Sequence, residues 1–568
     1  MSSQTVHRTF SQHKFHLMLG AATIMAFLTL AAEEVDVLVA GYLFGEEAIT
    51  GVNLVSPMFF AATFISMMIA VGTAHHYSYE IGRFKKEEAD NAVGQGVLLA
   101  FVASLFVLLF TQSAKSRFLA SVTESTDIFS YSSAYYTFFP YMLSVLPFFF
   151  LLQFLVYADG GGKRCVLASV LQLAVNVPCS FFLSRKIGMA GLSLGTLLGF
   201  LVSIAVYVSW IISVHSSIRL RWHFSFSDTF EIMKFSYAHA CLPLYIGISR
   251  MSLNKFVALR FEDECLTALT VVNHLMVIIL VFEGLGQAVD PLLNIYYGER
   301  NPDGIRKVMH SAIRIAVIEG VTLGLMMFAF AGFLPRLYGV HTPDLLDLCT
   351  SALRTVAPAM PFIALLYLFV VYYMVTGHLR ISLAIAVLRN VVFYIALPLV
   401  LGMMFGIEGV WIGVALAYMG TFFLFAGFLR AKYGKSFPLI LEDRDIVSKD
   451  VVLTVDKLME IRGWAGKECD KRGIASSVRN KIELLLEELG MLIIERNGIR
   501  PPLAEVSICF KKDIKVMIRD DGEIYDVTDP DAALSFRSMF VTELLQKGSR
   551  SAYLLTQNYN RNVFTLKK

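Results

Sequence analysis

The first 430 positions of this chain are dominated by one rhythm: apolar stretches of about 20 residues or more, separated by short polar loops. Lipid offers no partner to a backbone N–H or C=O, so a stretch of this kind must be a helix that closes its own hydrogen bonds. The stretches fall near 17–41, 48–78, 91–112, 131–157, 165–184, 190–214, 232–257, 265–297, 309–334, 349–375, 380–401 and 408–429. That spacing predicts twelve membrane crossings.

Charge divides the chain at the same place. Of its 49 Lys and Arg and 46 Asp and Glu, 42 follow position 440, about a third of the tail against an eighth of the body. Two solvents have shaped the two regions. The expected fold class is an all-α polytopic membrane protein with a small α+β domain outside the bilayer. Its expected layout is a polar N-terminal segment (1–16), a six-helix lobe (17–215), a linker (216–231), a second six-helix lobe (232–430), a linker (431–447) and a tail domain (448–568). Alternate loops carry Arg83, Lys85 and Lys86; Lys163 and Arg164; Arg219 and Arg221; Arg300, Arg306 and Lys307; and Arg380. Basic loops stay in the cytoplasm, which predicts a plasma-membrane protein with both termini inside. The first apolar stretch is too long for a cleavable signal and reads as a retained helix. The seven cysteines are scattered without metal-ligand spacing and read as reduced thiols. No basic block with interleaved aromatics points to nucleic acid.

An internal repeat sets the architecture. Ile187-Gly-Met-Ala-Gly-Leu-Ser-Leu-Gly195 matches Phe405-Gly-Ile-Glu-Gly-Val-Trp-Ile-Gly413, with all three glycines at an offset of 218. Val170-Leu-Gln172 pairs with Val387-Leu-Arg389, and Ile81-Gly82-Arg83 with Tyr297-Gly298-Glu299. Six helices per half give a parallel repeat, a transporter plan that puts the site between halves.

Several of these residues resemble the multidrug and toxic compound extrusion (MATE) family. They are Asp36-Val-Leu-Val-Ala-Gly41-Tyr-Leu-Phe-Gly45-Glu-Glu-Ala48, Val52-Asn-Leu-Val-Ser-Pro57, Gly72 followed by Ile81-Gly82-Arg83, Asn176, Gly191 and Gly195, and in the second half Pro291 and Asn294-Ile-Tyr-Tyr-Gly298-Glu-Arg-Asn301. The resemblance spans about 430 residues and implies two lobes in a V. It also implies an antiporter, driven by a proton or sodium gradient, that expels small amphipathic and often cationic organic compounds. The family's fifth helix commonly has an acid four residues after the asparagine, where this chain has Ser180.

Ionisable groups at membrane depth are costly and mark function by default. Glu33 and Asp36 share a face of the first helix, with Glu34 about 100° away. A carboxylate held there is a candidate proton or cation site, with Asn176 and Ser180 beside it; hydration near the headgroups is the plainer reading. The second half offers Glu283, Asp290, Arg250 and Arg389 as substrate or cation groups, or as structural Glu283–Arg389 and Asp290–Arg250 pairs. No metal or catalytic constellation is expected.

In the tail, Leu484-Leu-Leu-Glu487-Glu488-Leu-Gly-Met491-Leu492 reads as an amphipathic helix, followed by strand runs at Ala504–Phe510 and Ile514–Ile518, then Asp520-Asp521-Gly522 and a closing Asn562–Leu566 strand. The order resembles the GHKL-type ATP-binding fold of anti-sigma-factor kinases. The resemblance implies that Glu488 would stand in the magnesium-binding helix and Asp520 and Gly522 at the adenine. Met491 or Leu492 occupies the place of the magnesium-binding asparagine, and Ser535-Phe-Arg-Ser that of the glycine-rich lid. The tail is therefore expected to be a regulatory interaction domain, meeting a cytosolic protein or nucleotide, rather than an enzyme. Overall the sequence points to a multidrug exporter, with a lipid-linked precursor flippase or a membrane-tethered sensor as alternatives.

Overall fold

Nearly every described residue up to 434 is helical, as a chain without solvent for its backbone must be. The structure, a computed structural model, describes residues 9–122, 126–222, 224–337, 340–434, 439, 445–498, 500–511, 513–526, 549–557 and 559–567. The first lobe comprises α1 (Phe10–Phe44), α2 (Glu46–Leu54), α3 (Ser56–Gly82), α4 (Lys86–Val122), α5 (Thr126–Tyr135), α6 (Phe139–Ala158), α7 (Gly162–Ile187) and α8 (Ala190–Ile212). The second comprises α9 (Phe226–Ala240), α10 (Leu242–Arg260), α11 (Asp263–Leu275), α12 (Val281–Gly298), α13 (Pro302–Ala329), α14 (Leu334–Leu337), α15 (Pro343–Val356), α16 (Met360–Val375), α17 (Leu379–Val387) and α18 (Phe393–Tyr433). Local signals fix the ends. Thr9 and Gln12 form a reciprocal capping box that starts α1. Asn301 caps α13, accepting from the Gly304 N–H at 3.0 Å, with Pro302 in the first turn.

Ten segments among the described residues are long and apolar enough to span a membrane, against the twelve read from sequence. Two physical causes account for the difference. The segment Leu379–Tyr433 runs for 55 residues, about 80 Å if straight. It turns back at Gly406, whose φ of 68° and ψ of −154° only glycine adopts readily. A side chain at Gly409 would collide with the Leu401 carbonyl, and one at Gly413 with Pro398, so the two arms lie back to back. The stretch read at 232–257 is instead interrupted at Cys241, between α9 and α10, and α10 carries Arg250, Lys255 and Arg260.

The first lobe makes the same reversal. Gly188 has φ 66° and ψ −150°, Gly191 meets the backbone of Leu183 and Ser184, and Gly195 meets Ser180. The repeat glycines thus do the same work twice. The offset of the repeat grows from 217 to 218 across residues 389–406, and Leu388–Val392 there is a turn of π-helix. A π turn takes up one extra residue without breaking the helix. The Asn390 carbonyl in this turn accepts a hydrogen bond from the Ser249 hydroxyl of α10.

The lobes meet where α3 ends against the end of α12. A Cβ on Gly82 would stand 3.0 Å from Ile295 Cα and nearer its carbonyl oxygen; one on Gly298 would stand 3.1 Å from Gly82 Cα. In the first lobe this end is tied together by Asp159, which accepts from Tyr77 Oη (3.0 Å), Trp210 Nε1 (3.0 Å) and Ser216 Oγ (2.8 Å).

The tail sits over this end. It consists of β1 (Ile446–Val452), α19 (Val455–Lys471), α20 (Ser476–Asn497), β2 (Leu503–Phe510), β3 (Asp513–Asp520), β4 (Ser549–Thr556) and β5 (Tyr559–Lys567). The strands pair antiparallel in the order β1-β2-β3-β5-β4. Alternate strand residues such as Val506, Ile508 and Val516 face Ile461, Leu485 and Leu489 of the helices in a core of the tail's own.

Candidate functional site

Asp36 lies 26 residues beyond Phe10 on α1, about 40 Å from the tail. Its carboxylate is buried, 7% exposed, and every partner is a hydroxyl. Tyr135 Oη donates to Oδ2 at 2.8 Å, Thr196 Oγ1 donates to Oδ1 at 2.9 Å, and Ser180 Oγ lies 3.5 Å from Oδ1. Ser180 and Thr196 also reach the Asn176 side-chain oxygen, at 2.8 and 3.2 Å. Four helices, α1, α5, α7 and α8, assemble the cluster, and the Gly188 reversal lays α8 against α7: without a side chain on Gly195, Thr196 can come within reach of Ser180 and Asn176. No cation neutralises Asp36 among the described residues; hydroxyls hold either protonation state by rotating.

The cluster opens on a cavity of about 270 Å³ between the lobes. Glu34, Asp36 and Gln172 face it from the first lobe and Arg250, Asn273 and Tyr394 from the second. Glu34 and His274 Nδ1 approach to 3.8 Å across the gap. The walls include Phe59, Phe149 and Phe200. Such a chamber, apolar with a few convergent polar groups, suits a small organic molecule.

The sequence-derived candidates separate clearly. Asp36, Asn176 and Ser180 come together, Glu34 lines the same cavity, and the side chain of Glu33 lies outside the described residues. Arg250 reaches the cavity, donating to the Asn273 carbonyl at 3.3 Å. Arg389 is fully buried, its guanidinium 3.8 Å from the centre of the Tyr367 ring, with no hydrogen-bond partner among the described residues. Neither a Glu283–Arg389 nor an Asp290–Arg250 ion pair forms among the described residues. Glu283 feels the charge of Arg389 only at a distance. Asp290 accepts from Asn294 Nδ2 at 3.1 Å, beside a small second cavity lined by Gln153, Tyr157 and Pro291. Sequence reasoning missed Tyr135 and Thr196. The one available signal was that Thr196 directly follows the repeat glycine Gly195.

In the tail, Asp520 is spent internally. Asn560 Nδ2 (2.9 Å) and the Gly522 N–H (3.1 Å) donate to Oδ1, and Tyr525 Oη (3.0 Å) to Oδ2. Burial pushes its carboxyl up to about 6, against the pull of these three donors. Gly522 is crowded by Asn497, which accepts from the Glu523 N–H at 2.9 Å. Glu488 is half-buried on α20. Ser535-Phe-Arg-Ser lies outside the described residues.

The MatE family matches residues 21–182 and 246–400, more than half of the chain. No curated protein matches. Among solved structures, a MATE protein in complex with MaL6 is 20% identical with a TM-score of 0.69, covering 76% of this chain and 98% of that one. An outward-facing multidrug resistance MATE family transporter of the MOP superfamily is 19% identical with a TM-score of 0.69, covering 74% and 95%. A MOP superfamily transporter from Pyrococcus furiosus, described as having a binding pocket of reverse polarity that suggests a different function, is 18% identical with a TM-score of 0.69, covering 76% and 98%. At these identities the likeness shows the fold.

Proposed function

Since the chain belongs to the MatE family of membrane transporters, we propose that it is a secondary antiporter whose export of small amphipathic or cationic organic compounds is driven by a proton or sodium gradient. The observation that carries this reading is the buried, hydroxyl-held carboxylate of Asp36 opening on a cavity shared by both lobes. Proton or sodium binding at Asp36 and substrate binding in the cavity would favour different lobe arrangements, each by its differential affinity. Twelve crossings follow if the arms of Leu379–Tyr433 count separately and the α9–α10 stretch spans as a broken helix. The basic loops put the tail-side end in the cytoplasm.

A second reading rests on Arg250. It adds a cation to the cavity wall, while Arg389 of the same lobe is buried against the Tyr367 ring and does not line the cavity. Arg250 favours a substrate with an anionic group as well, the polarity expected of a precursor flippase, but a cavity of about 270 Å³ favours a small molecule over a lipid-linked chain. For the tail, the order of strand, two helices and hairpins supports a GHKL-like ancestry of form, while the internally satisfied Asp520 supports a domain that works without nucleotide.

The test is efflux of a cationic dye from proteoliposomes under an imposed proton or sodium gradient, wild type against Asp36→Asn. Gradient-driven efflux that the variant loses while remaining folded supports the antiporter and names the ion. Full efflux by the variant removes Asp36 from the mechanism and moves attention to Glu283 and Asp290.

A further inference from the structure

The tail touches both lobes at the end where they close on each other. On the first lobe it meets the start of α1, the end of α3 and the end of α6. Asp450 Oδ1 accepts from the Phe10 N–H at 2.9 Å, and Phe10 stacks edge-on against Tyr559 at 5.2 Å. Arg561 donates to the carbonyls of Ile81 (3.0 Å) and Gly82 (3.3 Å), its guanidinium lying 4.3 Å over the Phe84 ring. Gln557 donates to the Ala158 carbonyl at 3.4 Å. On the second lobe it meets the end of α12 and the start of α13. Glu299 forms ion pairs with both Arg519 and Arg561, all three side chains about 1% exposed. Tyr296 Oη donates to Glu505 at 3.1 Å, and Asn301, the cap of α13, donates to Ser507 at 3.4 Å. Lys307 pairs with Asp450 at 2.5 Å and with Glu505 at 3.6 Å.

Two of these side chains are decisive because each holds both lobes at once. Arg561 links the α3 carbonyls to Glu299 of α12. Asp450 links the α1 backbone to Lys307 of α13. A domain docked on one lobe would ride with it as that lobe moves; these staples cannot survive separation of the lobes. The contact they span is a close one, where Gly82 and Gly298 let the α3 and α12 backbones touch. We infer that the tail is an intrinsic clamp on this gate: it holds the lobes closed at their tail-side ends, and the arrangement open on that side forms only when the tail lets go of one lobe. This rests on the antiporter reading only for the statement that the gate must open in each cycle.

The charges make the clamp a switch rather than a seam. A buried carboxylate shared by two arginines is stable while complete, and loss of one partner leaves charge stranded away from water. Release is therefore all-or-none and is set by anything that competes for Arg519 and Arg561.

The experiment uses the full chain in lipid bilayers, with Cys179 and Cys265 changed to Ser and spin labels on the exposed positions Lys85→Cys and His310→Cys, one per lobe. Pulsed electron resonance reads the lobe-to-lobe distance, and dye efflux is measured in parallel. Glu299→Gln, which disarms the clamp from the transporter side, and Arg561→Gln combined with Asp450→Asn, which disarms it from the tail side, are both expected to enrich the parted population by about a hundredfold. A variant that fails to fold on one side is covered by the other. A shifted population with no efflux from any form, wild type included, upholds the clamp and sinks the exporter reading. Unchanged distances in a folded variant of either kind overturn the clamp, whatever the efflux.

Discussion

Gly82→Ala probes the gate while leaving every side chain of the tail unchanged. Gly82 lies in the last turn of α3 with helical φ, so alanine suits its own helix and on propensity alone would stabilise it by about 1 kcal/mol. The cost arises across the lobe boundary. The new Cβ would sit 3.0 Å from both Ile295 C and Ile295 Cα and closer still to the carbonyl oxygen, all of them backbone atoms of α12. A flexible side chain could swing aside; a helix backbone has to translate. Overpacking of this kind costs about 1–3 kcal/mol, and it is charged only when the gate is closed. The closed-to-open ratio should therefore fall by about 5–150-fold, since 1.4 kcal/mol is a factor of ten. Spin-label distances between the two lobes read that ratio directly, and the shift should appear with the tail still bound through Glu299. Gly20→Ala, where nothing stands within 4 Å, serves as the control and should leave distances unaltered. An unshifted distance distribution in Gly82→Ala, with the protein folded, would refute the claim that α3 and α12 form the closing contact.

Two further outcomes follow from the same structure. The Asp520 carboxyl is raised by burial to about 6 in the folded tail against about 3.9 when unfolded, so its stabilising contribution is complete below pH 4 and is lost as pH rises through 6. Hydrogen-exchange protection of β3 and β5 should fall by about 2 kcal/mol between pH 4 and pH 7 in the wild type, and Asp520→Asn, which keeps the shape and the bond with Tyr525, should flatten that slope. Gly188→Ala and Gly406→Ala should each cost about 1–3 kcal/mol in thermal unfolding, because both need φ near 67° with extended ψ, whereas Gly427→Ala should be nearly silent.

The sequence carried the membrane body well because lipid imposes one rule on every crossing, and a run such as Met360–Val375 obeys it whatever its neighbours do. The repeat glycines were legible for a related reason: a reversal with positive φ admits almost no other residue. Asp36 and Asn176 stood out as polar groups in apolar runs. Tyr135 and Thr196 did not, since a hydroxyl at membrane depth is ordinary until something aims it at a carboxylate. The expected partners of Glu283 and Asp290 were drawn from charge alone. The structure sets Arg389 against the face of Tyr367 instead, an arrangement that no spacing rule encodes. Glu299 was visible only as the last residue of a repeat motif, because its two arginines lie more than 200 positions away and on a separate domain. The stretch at 232–257 looked like one helix because hydropathy does not register the local break at Cys241.

The π turn at Leu388–Val392 reaches beyond the helix that holds it. Past that inserted residue, the positions matching Asn176, Ser180 and Thr196 at the 218 offset are Tyr394, Pro398 and Val414. The second lobe thus builds the same glycine-hinged hairpin around a side-chain set that keeps one hydroxyl, on Tyr394, where the first lobe has an amide and two hydroxyls. Duplication has kept the mechanics and not the electrochemistry. If Asp36 carries the coupling charge, the stoichiometry of this cluster is one per turnover, and the two lobes are a powered arm and a passive one.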